Sequence, residues 1–241
     1  MAGEAFGHPR LAAIYDVLDP DRSDLDAYVG IAEEFGARQV LDIGCGTGVF
    51  ALLLADRGIQ VVGVDPARAS LDVARGRPGS ERVRWIHGDA TTLPPLQADL
   101  ATMTGNAAQQ LAGPDMWRES LRGVHEALRP GGHFVFETRD PARRAWEEWT
   151  REASYGVTEI PGVGAVEGWD DLVEVDGPLV TFRHTYVFAA DGQVLTSEST
   201  LCFRERDEIE ADLAAQGYVV RDVRDAPDRP GREFVFVAAR P

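Results

Sequence analysis

A chain of 241 residues, 44% of them hydrophobic, is long enough for one α/β domain with a substantial buried core. Its 24 basic residues stand against 40 acidic ones, and the resulting net charge of −16 repels a phosphate backbone, which argues against nucleic acid as a partner. Every basic residue is arginine, so the chain offers neither a lysine for a pyridoxal Schiff base nor the lysine of a phosphate-binding P-loop.

In chain order, Leu25, Val29, Ala32 and Phe35 recur at helical spacing and predict a helix over residues 23–36, capped by Ser23 and ended by Gly36. Residues 40–48 read VLDIGCGTG: a short apolar strand carrying Asp42, then Gly44, Cys45, Gly46 and Gly48 in a loop that leaves backbone bare for a nucleotide-like ligand. The apolar run 49–55 starts a buried helix directly after it. A second strand over 60–64 closes at Asp65 and Pro66, where the next helix begins and runs to 75. A third strand (83–87) ends at Gly88 and Asp89, and a fourth (98–103) ends at Thr104, Gly105 and Asn106. A helix over 115–128 and the turn 129–132 lead into a fifth strand, 133–138. Strands alternating with helices across short loops predict a parallel sheet covered on both faces.

The texture then changes. Residues 142–153 look helical and carry Trp146 and Trp149, whose spacing favours packing. Val180, Phe182, His184, Tyr186 and Phe188 alternate along a strand, and Asp191-Gly192 predicts a hairpin into a strand over 194–203. The block 141–204 therefore reads as an antiparallel β insertion within a single domain spanning 1–241. A helix over 207–216 and two strands, 218–223 and 233–239, complete the chain. The longest apolar run is seven residues, far below the roughly 20 that cross a bilayer, and the N-terminus has no basic-then-apolar pattern; a cytoplasmic protein without membrane contact is expected. Cys45 and Cys202 form neither a disulfide framework nor part of a metal site.

In an open α/β sheet, ligands bind beyond the carboxyl ends of the strands. Asp42 with the glycines, Asp65, Asp89 and the 104–106 turn all fall there. A carboxylate at the tip of the second strand suits the two hydroxyls of a ribose, and one after the third suits the amine of adenine. NAD is the rival ligand, but its loop wants glycine where Val49 stands, and Asp42 would repel a pyrophosphate. A ligand bearing a sulfonium and an amino-acid tail would not be repelled.

These linked segments, VLDIGCGTG at 40–48, VVGVDP at 61–66, GDA at 88–90 and LRPGG at 128–132, resemble the class I S-adenosylmethionine-dependent methyltransferases. The resemblance implies a Rossmann-like, seven-stranded, mostly parallel sheet in the order 3-2-1-4-5-7-6 with strand seven antiparallel. It further implies that the backbone from 44 to 48 faces the methionine part of S-adenosyl-L-methionine, that Asp65 with Pro66 borders the ribose, that Asp89 and Ala90 border the adenine, and that Thr104 to Asn106 face the methyl group. The expected activity is methyl transfer to an oxygen, nitrogen or carbon of a small molecule, by a monomer or homodimer, with the insertion as a lid. A protein that binds the cofactor without transferring a methyl, and a nicotinamide-dependent oxidoreductase, are the alternatives.

No catalytic residue stands out. Tyr15 precedes the first long helix, where similar small-molecule methyltransferases cover the cofactor; packing with Ile14 explains it equally well. His184 lies opposite Glu198 in the expected hairpin register, which makes a cross-strand ion pair or a substrate-side base. Glu137 and Arg139 end strand five beside the cofactor as candidate substrate contacts, and His133, at the other end of that strand, is structural.

Overall fold

Val40 and Leu41, neighbours on the first strand, feed opposite hydrophobic clusters, and this alternation builds three layers. The computed structural model describes residues 7–241. Its strands are β1 (Gln39–Ile43), β2 (Gln60–Asp65), β3 (Val83–His87), β4 (Ala98–Met103), β5 (Leu128–Arg139), β6 (Gly156–Ile160), β7 (Gly164–Asp176), β8 (Leu179–Phe188), β9 (Val194–Cys202), β10 (Val219–Asp225) and β11 (Glu233–Ala239). Its α-helices are α1 (Pro9–Ala12), α2 (Tyr15–Leu18), α3 (Asp24–Glu34), α4 (Val49–Asp56), α5 (Arg68–Gly76), α6 (Pro114–Ala127), α7 (Arg151–Ser154) and α8 (Arg206–Ala215).

The larger sheet runs β10-β11-β5-β4-β1-β2-β3, parallel from β5 to β3, with β11 antiparallel to both β5 and β10, as the resemblance implies. On one face, Leu41, Phe134, Phe136 and Phe236 pack under Trp117, Leu121 and Val124 of α6 and Ile209 and Leu213 of α8. On the other, Val40, Val61, Val135 and Val237 pack under Leu25, Tyr28 and Val29 of α3 and Phe50 and Leu54 of α4. β5 begins at Leu128, five residues before the expected start, because the Pro-Gly-Gly segment is itself paired: Gly131 N–H donates to the Arg240 carbonyl at 2.7 Å and Arg240 N–H to that of Gly132 at 2.8 Å. His133 stacks flat on Phe35, with centroids 4.0 Å apart, in a structural role.

β6-β7-β8-β9 form a separate antiparallel sheet inserted between β5 and α8. One face is held at two ends. Tyr186 and Phe188 cluster with Leu11 and Ile14, whereas Val180, Phe182, Leu201 and Phe203 cluster with Trp146 and Trp149.

Three local expectations fail. Ser23 makes no side-chain cap, since its backbone is already helical (φ −66°, ψ −18°); Gly36 does end the helix, at φ 57°. Residues 142–153 are no single helix: Arg144 sits at φ 46°, splitting the segment into two short 3-10 turns and α7, which Thr150 caps. The β8–β9 register places Glu198 opposite Arg183, with an ion pair of 2.9 Å, and leaves His184 opposite Ser197, because the strands meet at Phe188 and Gln193 with residues 189–192 as the turn.

Candidate functional site

β1 ends at Ile43, and the next residues must turn sharply into α4. Gly44, Gly46 and Gly48 do so at φ 72°, 52° and 82°. They serve different purposes. A Cβ on Gly48 would lie 2.5 Å from Trp85 Cη2, so this glycine lets α4 crowd β3 and does not face a ligand. A Cβ on Gly44 would meet Ala107 Cβ at 2.9 Å, where two loops touch, while one on Gly46 would project into open space.

A cavity of about 320 Å³ opens over this loop. Asp42, Gly44, Cys45, Gly46, Asp65, Pro66, Asp89, Ala90 and Thr104 line it, as does Tyr15; Gly48, Asn106, Glu137, Arg139 and His184 do not. Asp65 orders the loop as well as facing the cavity: its Oδ2 accepts from Gly46 N–H at 2.8 Å and its Oδ1 from Ala67 N–H at 2.7 Å, ahead of α5. Burial pushes its pKa up, with those two amides pulling it back. Asp89 is exposed and takes both the N–H and the hydroxyl of Thr91 on Oδ1, at 2.9 and 2.6 Å, which fixes its side chain at the rim. Burial also raises the Cys45 thiol well above its usual range, so it lines the wall as an inert neutral group.

Asp42 is 1% exposed; Thr102 donates to its Oδ1 at 3.1 Å, and its Oδ2 is buried without a partner among the described residues. Burial drives its pKa up to about 7, opposed by the Thr102 hydroxyl and reinforced by the charge of Asp65. An unpaired buried carboxylate on a cavity wall calls for a cation. Absent from the sequence reading are Arg22, the single basic side chain of the described residues on this wall, and Ser120, whose buried Oγ also lacks a partner among them. Ser120 did carry a signal, a polar residue on the otherwise apolar stripe Trp117, Leu121, Val124 of α6.

The N-terminal segment closes one side. Asp16 accepts from the Thr47 hydroxyl at 2.7 Å and pairs with Arg77, which also donates through Nε to the Thr47 carbonyl at 2.7 Å. Farther out, His184 Nδ1 lies 2.8 Å from Asp170 Oδ1 on β7, the cross-strand partner in place of Glu198, and its ring lies against that of Tyr186 at a tilt of 36°, with centroids 4.1 Å apart. Arg139 leans on Gln109 at 3.0 Å and over Trp149 at 5.8 Å from the ring centroid. No metal-binding cluster exists among the described residues, and none of their helices is long and apolar enough to cross a membrane. Both cysteines are free and buried.

A glycine loop, three acids at successive strand tips and Arg22 thus line one cavity at the carboxyl ends of a sheet of methyltransferase topology. Residues 40–132 match the methyltransferase domain family. The chain is 35% identical over 130 residues to the cypemycin N-terminal methyltransferase of a Streptomyces species, covering 54% of this chain and 53% of that one; it spans about half the length of several curated relatives it matches. Among solved structures it is similar to the CcbJ methyltransferase of Streptomyces caelestis (TM-score 0.76, 23% identity, 97% of each chain). It is also similar to the SAM-bound amino pentose methyltransferase CalS10 of Micromonospora echinaspora (TM-score 0.73, 24% identity, 95% of each chain). The domain match over residues 40–132, these relatives and the whole-chain likeness of fold together support a class I S-adenosylmethionine-dependent methyltransferase.

The cavity fits that cofactor on its own chemistry. The orphaned Asp42 Oδ2 suits a positive group, Arg22 suits a carboxylate, and the open side of Gly46 leaves room for backbone approach.

Proposed function

We propose that the protein transfers a methyl group from S-adenosyl-L-methionine to a nitrogen, oxygen or carbon of a small molecule. The observation that carries this reading is the buried, unpartnered Asp42 carboxylate on a wall that also presents Arg22, Asp65 and Asp89. In this reading Arg22 takes the cofactor's carboxylate, Asp42 its positive end, Asp65 the ribose hydroxyls and Asp89 with Ala90 the adenine edge. The bound cofactor supplies a methyl group on a sulfonium, already a good leaving group. The chain's own part is position and dryness: Met103, Leu111 and Met116 line the wall with apolar surface that excludes water.

The β6–β9 sheet serves as a lid whose inner face holds the acceptor between the two apolar clusters. Its polar strip is His184 and Asp170. With Nδ1–H donated to Asp170, Nε2 of His184 is left to accept a proton from an acceptor that needs a base. Tyr186 links this strip to Leu11 and Ile14, the segment that brings Tyr15 into the cavity.

The test is calorimetry with S-adenosylhomocysteine followed by turnover on a panel of small amines, alcohols and carbon acids, detected as release of S-adenosylhomocysteine. Tight binding with no turnover on any nucleophile favours a binding protein; NADH binding without S-adenosylhomocysteine binding refutes the reading. With a turned-over amine or alcohol, His184→Asn lowers kcat about a hundredfold if the histidine is the base.

A further inference from the structure

Glu137 lies near the end of β5 beside the cavity and yet does not line it. Its carboxylate is 5% exposed and committed on both oxygens: Oε1 accepts from Asn106 N–H at 3.0 Å, and Oε2 accepts from the Tyr28 hydroxyl. Glu233, 3% exposed and one strand over on β11, accepts the Asn106 side-chain amide at 3.2 and 3.3 Å and is itself held by Arg229 at 2.7 Å. Two buried carboxylates from two strands thus grip one asparagine, by its backbone and by its side chain.

That asparagine is unusual. Asn106 has φ 57°, following Gly105 at 63°; among the described residues only Arg144 is another non-glycine in this region. Thr104, Gly105 and Ala107 line the cavity around it, while its own amide turns away toward Glu233. Ala107 packs so closely on Gly44 that a Cβ there would lie 2.9 Å from its own. Any slip of the 104–107 turn therefore runs into the glycine loop.

We propose that Glu137 and Glu233 are positioning residues, which hold Asn106 in the left-handed conformation and so set the cavity wall between β4 and β1 on which the cofactor rests. This rests on the cavity being the cofactor site. The carboxylates act through Asn106 and touch no reacting atom. Their geometry requires an accepting oxygen at Glu137 and a residue at 106 that tolerates positive φ.

The experiment measures S-adenosylhomocysteine affinity by calorimetry, the unfolding midpoint, and hydrogen exchange of the 104–107 amides. Glu137→Gln keeps an oxygen for Asn106 N–H and stays within about threefold of the parent affinity, whereas Glu137→Ala weakens it at least about tenfold. Asn106→Gly tolerates the conformation but gives up the Glu233 grip, so it binds less tightly than the parent and more tightly than Asn106→Ala, which resists the conformation as well and loses at least about tenfold. Tyr28→Phe removes the bond to the other oxygen, lowering the midpoint while leaving affinity within about threefold.

A merely structural network would move the midpoint in all five variants and the affinity in none. The inference is overturned if folded Glu137→Ala and Asn106→Ala bind as the parent does, or if Glu137→Gln loses as much as Glu137→Ala. Should Glu137→Ala not fold, the comparison of glycine with alanine at 106 decides alone. Should the parent bind no S-adenosylhomocysteine, the methyltransferase reading fails; exchange at 104–107 still tests the clamp, faster in Asn106→Ala than in Asn106→Gly if it holds.

Discussion

The Asp42 carboxylate makes a sharp prediction about pH. Burial lifts its pKa from an ordinary 3.8 to about 7, and at ~1.36 kcal/mol per pH unit that difference is on the order of 4 kcal/mol against the charged form. The sign follows from proton counting. Between pH 4 and 7 the folded chain keeps a proton that the unfolded chain has lost, so this group's contribution to stability falls as pH rises through that window and is flat above it. Asp42→Asn keeps an acceptor for Thr102 and removes the titration. Its stability relative to the parent should therefore grow by up to about 3 kcal/mol between pH 5 and pH 8, read from urea unfolding. A cation in the cavity reverses the balance by favouring the ionised form. Affinity of the parent for S-adenosylmethionine should thus fall toward about tenfold per pH unit below 7 and level off above 8, while Asp42→Asn binds weakly and without that slope. Binding by Asp42→Asn within about twofold of the parent at pH 8, with flat affinity in both, would refute the idea that this carboxylate receives a positive group.

Two further perturbations probe the walls. Gly123→Ala places a Cβ 1.9 Å from the Ala90 carbonyl oxygen, so despite alanine's helix propensity, better by about 1 kcal/mol, the unfolding midpoint should drop and S-adenosylhomocysteine affinity with it; a rise in midpoint would show that α6 shifts freely. Asp16→Ala removes the link to Thr47 and Arg77, a partly exposed cluster worth under about 1 kcal/mol of global stability. Its effect should be local: faster tryptic cleavage at Arg10 and Arg22 and weaker protection by S-adenosylhomocysteine, against an unchanged unfolding midpoint.

The region from β1 to β5 was legible in the sequence because each strand there is a short apolar run closed by glycine, proline or aspartate, and each helix carries a stripe. β6 and β7 were not delimited. Gly156, Gly164 and Gly168 and the acids Glu167, Asp170, Asp171 and Glu174 blur the alternation, since most of β7 is only half-buried or exposed. In the site, Gly44, Gly46, Asp42 and Asp65 could be placed because a strand tip followed by bare backbone leaves little choice of surroundings. Glu137 was read as facing substrate because it ends a strand at the right edge of the sheet, but parity along β5 put it on the face of Val135, beneath Tyr28 of α3. With Phe134, Val135 and Phe136 all apolar, the letters gave no sign of which face that was. Arg22 escaped notice because it sits in a loop 22 residues ahead of Gly44, the first of the glycines it joins, and no local pattern spans that gap.

The interior position of β11 has a consequence for the order in which the protein can mature. It lies between β5 and β10, although it is made after both, and it brings Glu233 to Asn106. During synthesis the glycine loop, the acids at the strand tips and the 104–107 turn all leave the ribosome long before the strand that completes the grip on that turn. A nascent chain lacking β11 has an open edge at β5 and half a clamp. Cofactor binding should therefore report on completion of the sheet.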